Sequence, residues 1–321
     1  MKIYNLALLF LFQFPLVFPI TDQSTINNTK SGAVKIVLKS SDGGQTWQDI
    51  SEGLPENLQP VGFVEKDNAV YVRSGNGIFH HTPNSTAPFW EKEIFPDDYS
   101  DIAPSKNGIF AYNYGGQFLQ RMNGADMWSP MYINFHVERV RTVFETAGGN
   151  LFIGCDNGLF KSIDKGKSWK QVYTEGWVMK FVESNGVLLA TSQRGIIRST
   201  DGGENWDRVI SEGGVGIAIE SIKGGFAAIT YNTTSETRRV RTSYDGGKTW
   251  QAIDAGIPAS LSIASIIQVG KNFFCGHPKG IYRSSDKGKT WTLLLPAIEG
   301  KVFNLSVSGN VIYAIPRSGG C

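Results

Sequence analysis

The segment 199–206 reads STDGGENW, and four other segments share its pattern of Ser, Asp, Gly and Trp at positions one, three, five and eight. These are SSDGGQTW (40–47), SIDKGKSW (162–169), SYDGGKTW (243–250) and SSDKGKTW (284–291). The Asp carboxylate can accept hydrogen bonds from the backbone N–H groups that follow it. The fifth-position Gly can take the positive φ that closes a short loop. Each octet therefore predicts a tight turn between two strands.

Apolar, strand-like runs flank these turns. GIIRS (195–199) precedes one octet turn and WDRVI (206–210) follows it, while GLFKS (158–162) and GIYRS (280–284) precede two others. Two further runs come earlier in the same unit, WVMKFVES and VLLATS, and the turn Asn185-Gly186 joins them. Such runs predict a meander of four antiparallel strands.

The tryptophans show that the unit repeats. Seven of the eight lie 43, 38, 41, 37, 44 and 41 residues apart, and Trp177 alone falls outside this series. The octet is eroded before Trp90 (HHTPNSTAPFW) and before Trp128 (RMNGADMW). A four-stranded unit of this length cannot bury both of its faces, so such units pack around an axis. We therefore predict an all-β fold, a seven-bladed β-propeller of four-stranded antiparallel blades.

The two ends of the chain each supply half of a unit. Only two strand-like runs open the repeat region (33–41 and 46–50), and only two close it (301–307 and 310–316). We expect these four runs to share one composite blade that closes the ring and removes exposed edge strands. The propeller is then expected over 33–317, with a tail at 318–321.

The N-terminal segment differs in kind from the repeats. Lys2 is followed by an apolar stretch from Tyr4 to Ile20, which two prolines interrupt. This pattern predicts a signal peptide over 1–22, then a linker over 23–32, and a secreted protein, extracellular or periplasmic. Contact with a membrane is expected only through an uncleaved signal segment. Four N-x-S/T triplets would matter in a host that glycosylates secreted proteins: Asn27, Asn84, Asn232 and Asn304.

Charge and cysteine content exclude several classes of partner. Lys and Arg number 31 against 29 Asp and Glu, and the charges are scattered, so we expect no nucleic-acid partner. Cys155, Cys275 and Cys321 fit neither a disulfide framework nor metal-ligand spacing. No histidine pair has metal-ligand spacing either, so we expect no metal and no cofactor. We also expect a monomer. The four histidines are His80, His81, His136 and His277.

The octets resemble the Asp-box of the bacterial neuraminidase repeat superfamily, over about residues 33–316. That superfamily includes sialidases, xyloglucanase-type endoglucanases, sortilin-type sorting receptors and photosystem II assembly factors. The resemblance implies that the octets are structural and lie away from any catalytic centre. The structural octet residues are then Asp42, Asp164, Asp201, Asp245, Asp286, Trp47, Trp169, Trp206, Trp250 and Trp291.

Candidate binding residues lie on the opposite side of such a ring. In a propeller, the loops between second and third strands share one face with the connections between blades, around the mouth of the axis. The candidates there are Asn113, Tyr114, Glu138, Arg139, Asp156, Arg194, Arg238, His277 and Arg317. Aromatic stacking and charge-assisted hydrogen bonds from these side chains predict a module that binds a glycan or a protein.

Two alternatives stay open beside this prediction. A glycoside hydrolase would need paired carboxylates with raised pKa, or three arginines, at the mouth. The (F/Y)-R-I-P motif of sialidases is absent, and only Ala314-Ile315-Pro316-Arg317 is related to it. Xyloglucanases place their cleft between two propellers, and Asp97, Asp98 or Glu138 could at most supply one side of a pair. The second alternative is an assembly factor for a membrane complex, similar to the photosystem II factors. We assign no catalytic residue and do not expect an enzyme.

Overall fold

A computed structural model describes residues 25–27, 35–66, 69–81, 90–96, 100–125, 127–135 and 139–318. These residues form strands, turns and connections without a helix, so the all-β prediction is confirmed. A helical segment with the length and hydropathy of a membrane span is accordingly not found among them.

The strands form seven sheets, here called blades 1 to 7 in the order of their tryptophans. Blade 1 contains β28 (Val302–Ser308), β29 (Val311–Arg317), β2 (Leu38–Ser40), β3 (Thr46–Asp49) and β1 (Thr25–Asn27). Blade 2 contains β4 (Pro60–Lys66), β5 (Ala69–Ser74), β6 (Gly77–His81) and β7 (Glu91–Lys92). Blade 3 contains β8 (Asp101–Ser105), β9 (Gly108–Tyr112), β10 (Phe118–Met122) and β11 (Trp128–Pro130). Blade 4 contains β12 (Val140–Glu145), β13 (Leu151–Cys155), β14 (Gly158–Ser162) and β15 (Lys170–Tyr173).

The remaining three blades repeat this order. Blade 5 contains β16 (Val178–Ser184), β17 (Val187–Ser192), β18 (Gly195–Ser199) and β19 (Asp207–Ile210). Blade 6 contains β20 (Gly216–Ile222), β21 (Gly225–Asn232), β22 (Thr237–Ser243) and β23 (Gln251–Ala252). Blade 7 contains β24 (Ser265–Val269), β25 (Asn272–His277), β26 (Gly280–Ser284) and β27 (Thr292–Pro296).

The blades form a closed ring around an axis. The first strand of each blade contacts the first strand of the next, from β28 through β4, β8, β12, β16, β20 and β24 back to β28. The predicted seven-bladed propeller is therefore confirmed. We call the side that carries the octet turns the turn face. The side that carries the second-to-third-strand turns and the interblade connections is the mouth face.

Blade 1 contains strands from both ends of the chain. Leu38 and Ser40 of β2 pair antiparallel with Ala314 and Ile312 of β29. The short strand β1 lies in the stretch that the sequence predicts as a linker, and it pairs parallel with β3 at the outer edge. The pairing of the two chain ends is thus present, and its contribution to the stability of the ring is a prediction that truncation tests.

Buried apolar side chains fill the space between neighbouring blades. Leu38 and Trp47 of blade 1, for example, lie in one cluster with Phe274 and Ile281 of blade 7 and with Phe303. All five side chains are almost fully removed from solvent. Burial of each large apolar side chain contributes roughly 1.5 to 3 kcal/mol, so the interfaces between blades are the main source of stability.

The octets form the turns that the sequence predicts. The N–H groups of Glu204 and Asn205 donate to Asp201 Oδ1 at 3.0 and 3.1 Å, and the Gly203 N–H donates to Ser199 Oγ at 2.9 Å. Gly203 has φ +85°, and a Cβ there would lie 2.4 Å from the ring of Phe152. Only glycine therefore fits this position.

The tryptophan indole closes most of the octet turns. In blades 1, 4, 5 and 6 the indole N–H donates to the carbonyl of the octet's own glycine at 3.1 Å. In blade 7, Trp291 donates instead to Ile253 O of blade 6 at 2.6 Å. In blades 4 to 7 the fourth strand begins one residue after the tryptophan, rather than at it as the sequence predicts.

Blades 2 and 3, where the octet is eroded, use contacts across the blade interface. The Trp90 indole donates to Ile50 O of blade 1 at 2.6 Å, and the Trp128 indole donates to Glu93 Oε2 at 2.9 Å. Glu93 is buried, forms an ion pair with Arg121, and lies 2.9 Å from Nδ1 of His80. In these two blades an acceptor in the preceding blade, the Ile50 carbonyl or the Glu93 carboxylate, therefore takes the place of the octet glycine carbonyl.

Candidate functional site

A cavity of about 380 Å³ opens on the mouth face. It is contributed by blades 2, 3, 4 and 5, so it lies to one side of the axis. Its lining residues are Arg73, Asp101, Tyr112, Tyr114, Val140, Arg141 and Met179.

The ends of strands provide most of this lining. Arg73 and Tyr112 lie at the ends of β5 and β9, the second strands of their blades. Asp101, Arg141 and Met179 lie at the beginnings of the first strands β8, β12 and β16. Paired strands are more rigid than loops, so the cavity is held by the blades themselves.

Asp101 is the carboxyl group of the cavity. Its Oδ1 accepts a hydrogen bond from the Ile102 N–H at 2.9 Å, and it lies opposite Tyr112 in the sheet. Burial raises the pKa of Asp101, while Arg73, the Ile102 N–H and Arg317 act in the opposite direction. The cavity thus contains a carboxyl group that binds a proton more readily than an ordinary aspartate.

A second cluster joins the cavity to its rim. Asp156 accepts hydrogen bonds from Arg141 and, at 3.4 Å, from the Tyr114 hydroxyl. The Arg139 guanidinium lies 5.4 Å from the centre of the Tyr114 ring, and that of Arg141 lies 5.7 Å from the centre of the Trp177 indole. These cation–π contacts fix two aromatic rings at the edge of the cavity.

Five of the predicted candidates lie in or beside this site. Tyr114 lines the cavity, and Asp156 and Arg139 contact it. Arg317 ends β29 and acts electrostatically on Asp101. Asn113 holds the loop, because its Oδ1 accepts hydrogen bonds from the N–H groups of Gly115 and Gln117.

Three other candidates lie elsewhere on the ring. Arg194 of blade 5 is exposed beside Glu175, at 3.7 Å. Arg238 is buried in blade 6, and its Nη1 donates to Ile263 O at 2.9 Å. His277 is also buried, with Nε2 bonded to Pro258 O and Nδ1 accepting from the Lys279 N–H. Burial lowers the pKa of His277, so a neutral ring holds two connections together.

The segment 230–239, which contains the candidate Arg238, is mostly strand. β21 and β22 extend to Asn232 and Thr237, and they leave a turn of four residues at 233–236. The candidates Asp97, Asp98, His136 and Glu138 lie outside the described residues, as does Cys321.

Sequence reasoning missed Arg73, Asp101, Tyr112, Val140 and Met179 as cavity residues, because it considered only loops. A signal for two of them was present: Arg73 interrupts the apolar strand AVYVRS, and Asp101 begins the strand DIAPS. A charged side chain at the end of a strand near the mouth is therefore as good an indication of a binding site as a charged side chain in a loop.

The criterion set for a hydrolase is met only in part. Asp101 has a raised pKa, but the nearby Asp156 is hydrogen-bonded to Arg141 and Tyr114. Arg73 and Arg141 line the cavity, and Arg317 acts electrostatically on Asp101. No group of three His, Cys, Asp or Glu side chains among the described residues could hold a metal ion. Cys155 and Cys275 are buried, and burial raises the pKa of the Cys275 thiol.

Comparison with known proteins identifies the fold. No family model matches the sequence, and no curated protein gives a significant match. Similar solved structures include the extracellular domain of the putative one-component system BT4673 from B. thetaiotaomicron (14% identity, TM-score 0.61), which covers 78% of this chain and 36% of its own. An ancestral GH74 enzyme is similar at 14% identity and TM-score 0.61, over 89% of this chain and 46% of its own.

A third similar structure is of nearly equal length. YCF48 bound to D1 peptide is 13% identical with a TM-score of 0.56, over 89% of this chain and 88% of its own. This chain thus spans less than half of the first two proteins and most of the third. At these identities the likeness shows the β-propeller fold, which these proteins use in an enzyme, a sensor domain and a peptide complex.

Proposed function

We propose that the protein is a binding module that holds a polypeptide ligand at its axial mouth. The observation that carries this proposal is the composition of the mouth face, where arginines line a cavity and large apolar side chains are exposed on interblade connections. Arginine and aromatic residues are enriched at the centres of protein interfaces. We also propose that the protein acts outside the cytoplasm, as its N-terminal segment predicts.

Exposed aliphatic side chains favour a polypeptide over a glycan. Ile94 and Leu261 are 87% and 53% exposed, and each lies on an interblade connection of the mouth face. Aliphatic side chains gain stability from apolar partners, which polypeptides supply more readily than sugars. The similar propeller YCF48 has been solved with a peptide bound, so a propeller of this size can hold such a ligand.

A glycan is the second candidate, and one observation favours it. Tyr114 and Trp177 present aromatic rings at the cavity edge, each held by an arginine. Ordered rings of this kind stack on the apolar faces of sugars.

Two parallel screens separate these ligands: a phage-displayed peptide library and a glycan array, each probed with the whole secreted chain. We expect peptides with acidic and apolar residues to bind, and Tyr114→Ala to weaken their binding by about tenfold or more. The matched control is Tyr244→Ala, because Tyr244 is similarly exposed but lies on the turn face. Equal losses in both variants would contradict the mouth as the site, and binding by glycans alone would favour the second candidate.

The hydrolase alternative has its own assay. We expect no hydrolysis of reporter sialosides or xyloglucan oligosaccharides above the rate in buffer. Turnover that is abolished by Asp101→Asn, Asp97→Asn or Glu138→Gln would establish a glycosidase instead.

A further inference from the structure

Charged groups from three blades converge on Asp101. Arg73 comes from blade 2 and Arg317 from blade 1, while Asp101 begins the first strand of blade 3. The Asp101 carboxylate packs on the backbone of Gly62, where a Cβ would lie 3.4 Å from Oδ1. The carboxylate therefore lies where blades 2 and 3 meet, and Arg73 and Arg317 act on it electrostatically.

Arg73 retains hydrogen-bonding capacity toward the cavity. Its Nε donates to Ser100 O at 3.1 Å, which fixes the guanidinium. Within the part of the chain that the structure describes, its two terminal nitrogens donate to no protein atom. Arg73 lines the cavity, so these donors are available to a ligand there.

Asp101 is the carboxyl group that lines the cavity, beside arginine and tyrosine side chains. The side chains of Arg73, Arg141 and Arg317 are guanidinium cations. Burial raises the pKa of Tyr112 far above neutrality, and its hydroxyl is hydrogen-bonded to Thr142. Asp101 is thus the group of this described cluster whose charge changes between neutral and mildly acidic pH.

We propose that Asp101 acts as a proton-controlled gate, which raises the affinity of the cavity for an anionic group when it is protonated. Ionised Asp101 offsets the charge of Arg73, whereas neutral Asp101 leaves the terminal nitrogens of Arg73 available to an incoming anion. The inference rests on the proposed function, because the same cavity receives the ligand. It adds that the recognised part of the ligand is acidic and that acidification strengthens binding.

Benzenesulfonate is a suitable probe, because it stays anionic throughout and its ring suits the apolar lining. From about pH 7.5 to about pH 4.5, we expect its affinity for the protein to rise roughly fivefold, the effect of removing one nearby negative charge. Neutral benzenesulfonamide should show no such change. Asp101→Asn keeps an acceptor for the Ile102 N–H, and it should bind benzenesulfonate at pH 7.5 as the unmodified protein does at pH 4.5.

The matched control is Asp286→Asn, on the turn face, which should keep the pH dependence of the unmodified protein. Persistence of that dependence in Asp101→Asn, or weaker binding by this variant at pH 7.5, would overturn the gate. Benzenesulfonate affinity without any pH dependence, together with binding of acidic peptides at the mouth, would overturn the gate and leave the proposed function standing. Peptides that bind nowhere at the mouth would refute the proposed function itself.

A second measurement needs no ligand and no Asp101 variant. The ¹³C carboxyl resonance of Asp101 should titrate above the ordinary aspartate range in the unmodified protein. Because Arg73 lowers the pKa of Asp101, the midpoint should move higher in Arg73→Gln. An ordinary midpoint that Arg73→Gln leaves unchanged would refute the gate even if Asp101→Asn failed to fold.

Discussion

The two faces of the ring use aspartate in opposite ways. On the turn face, hydrogen bonds from the Ser168 hydroxyl and N–H hold the pKa of Asp164 at about 2, and Thr290 does the same for Asp286. On the mouth face, burial raises the pKa of Asp101. A carboxylate whose donors come from its own turn stabilises the fold. The Asp101 carboxylate has a single backbone donor, and residues of other blades surround it. Such a carboxylate remains able to bind protons and to contact ligands.

The faces also differ in the range of their contacts. The Asp201 carboxylate is bonded within four residues along the chain, so the same turn recurs wherever the octet does. The mouth depends on residues far apart in sequence, such as Arg139 with Tyr114, or Arg317 with Asp101. Hydrogen bonds within an octet therefore recur around the ring, whereas the contacts between distant residues at the mouth are not repeated from blade to blade.

Removal of residues 301–321 should have the largest effect, because it alters both faces. The deletion removes β28 and β29, exposes the edge of β2, and takes Arg317 from the mouth. We expect loss of soluble protein and of cooperative thermal unfolding. Deletion of 319–321 alone is the control and should leave unfolding unchanged. A soluble protein of native thermal stability that lacks 301–321 would contradict a role for blade 1 in closing the ring.

Glu93→Ala tests the blades that lack an intact octet. Glu93 is buried between Arg121, Trp128 and His80, so its removal takes the ion-pair partner from the largely buried Arg121 and the acceptor from the Trp128 indole. We expect a loss of about 3 kcal/mol in the free energy of unfolding. Glu91→Ala is the control, since Glu91 is half-exposed and 3.9 Å from His80. Similar losses in both variants, measured by urea denaturation, would argue against an interblade role for Glu93.

The contrast between local and long-range contacts also explains what the sequence could predict. The spacing of the tryptophans predicted the blade number, and VLLATS forms β17 over the residues expected. The sequence could not indicate that Arg238 and His277 are buried, because the connections that cover them, around Ile263 and Pro258, follow no repeat. Arg73 and Asp101 were missed because the cavity exists only where different blades meet. The sequence repeat predicts the propeller fold, whereas packing between blades determines which polar side chains remain accessible to solvent.

Asp201→Ala should have a smaller effect that is confined to the turn face. It leaves the N–H groups of Glu204 and Asn205 without their acceptor, but water can partly replace it at this exposed turn. We expect a loss of about 1 kcal/mol in stability and unchanged ligand binding. Asp207→Ala, at an exposed position of β19, is the matched control and should change neither quantity. Lost binding at unchanged stability would place the function on the turn face.

The smallest expected effect is the opposite pH dependence of stability at the two faces. Asp164 has a folded-state pKa of about 2, below the unfolded value of about 3.9, so its stabilisation is present above about pH 4 and lost as the pH falls toward 2. Asp101 has a raised folded-state pKa, so its ionisation reduces stability as the pH rises from about 4 through that value. Asp164→Asn should therefore lower the urea midpoint near neutral pH, with the difference vanishing in strong acid. Asp101→Asn should raise the midpoint near neutral pH, with the difference vanishing near pH 4. If the urea midpoint shifted in the same direction in both variants, ionisation would affect stability in the same way at the two faces. The proposed difference between Asp164, which stabilises the fold when ionised, and Asp101, which does not, would then be wrong.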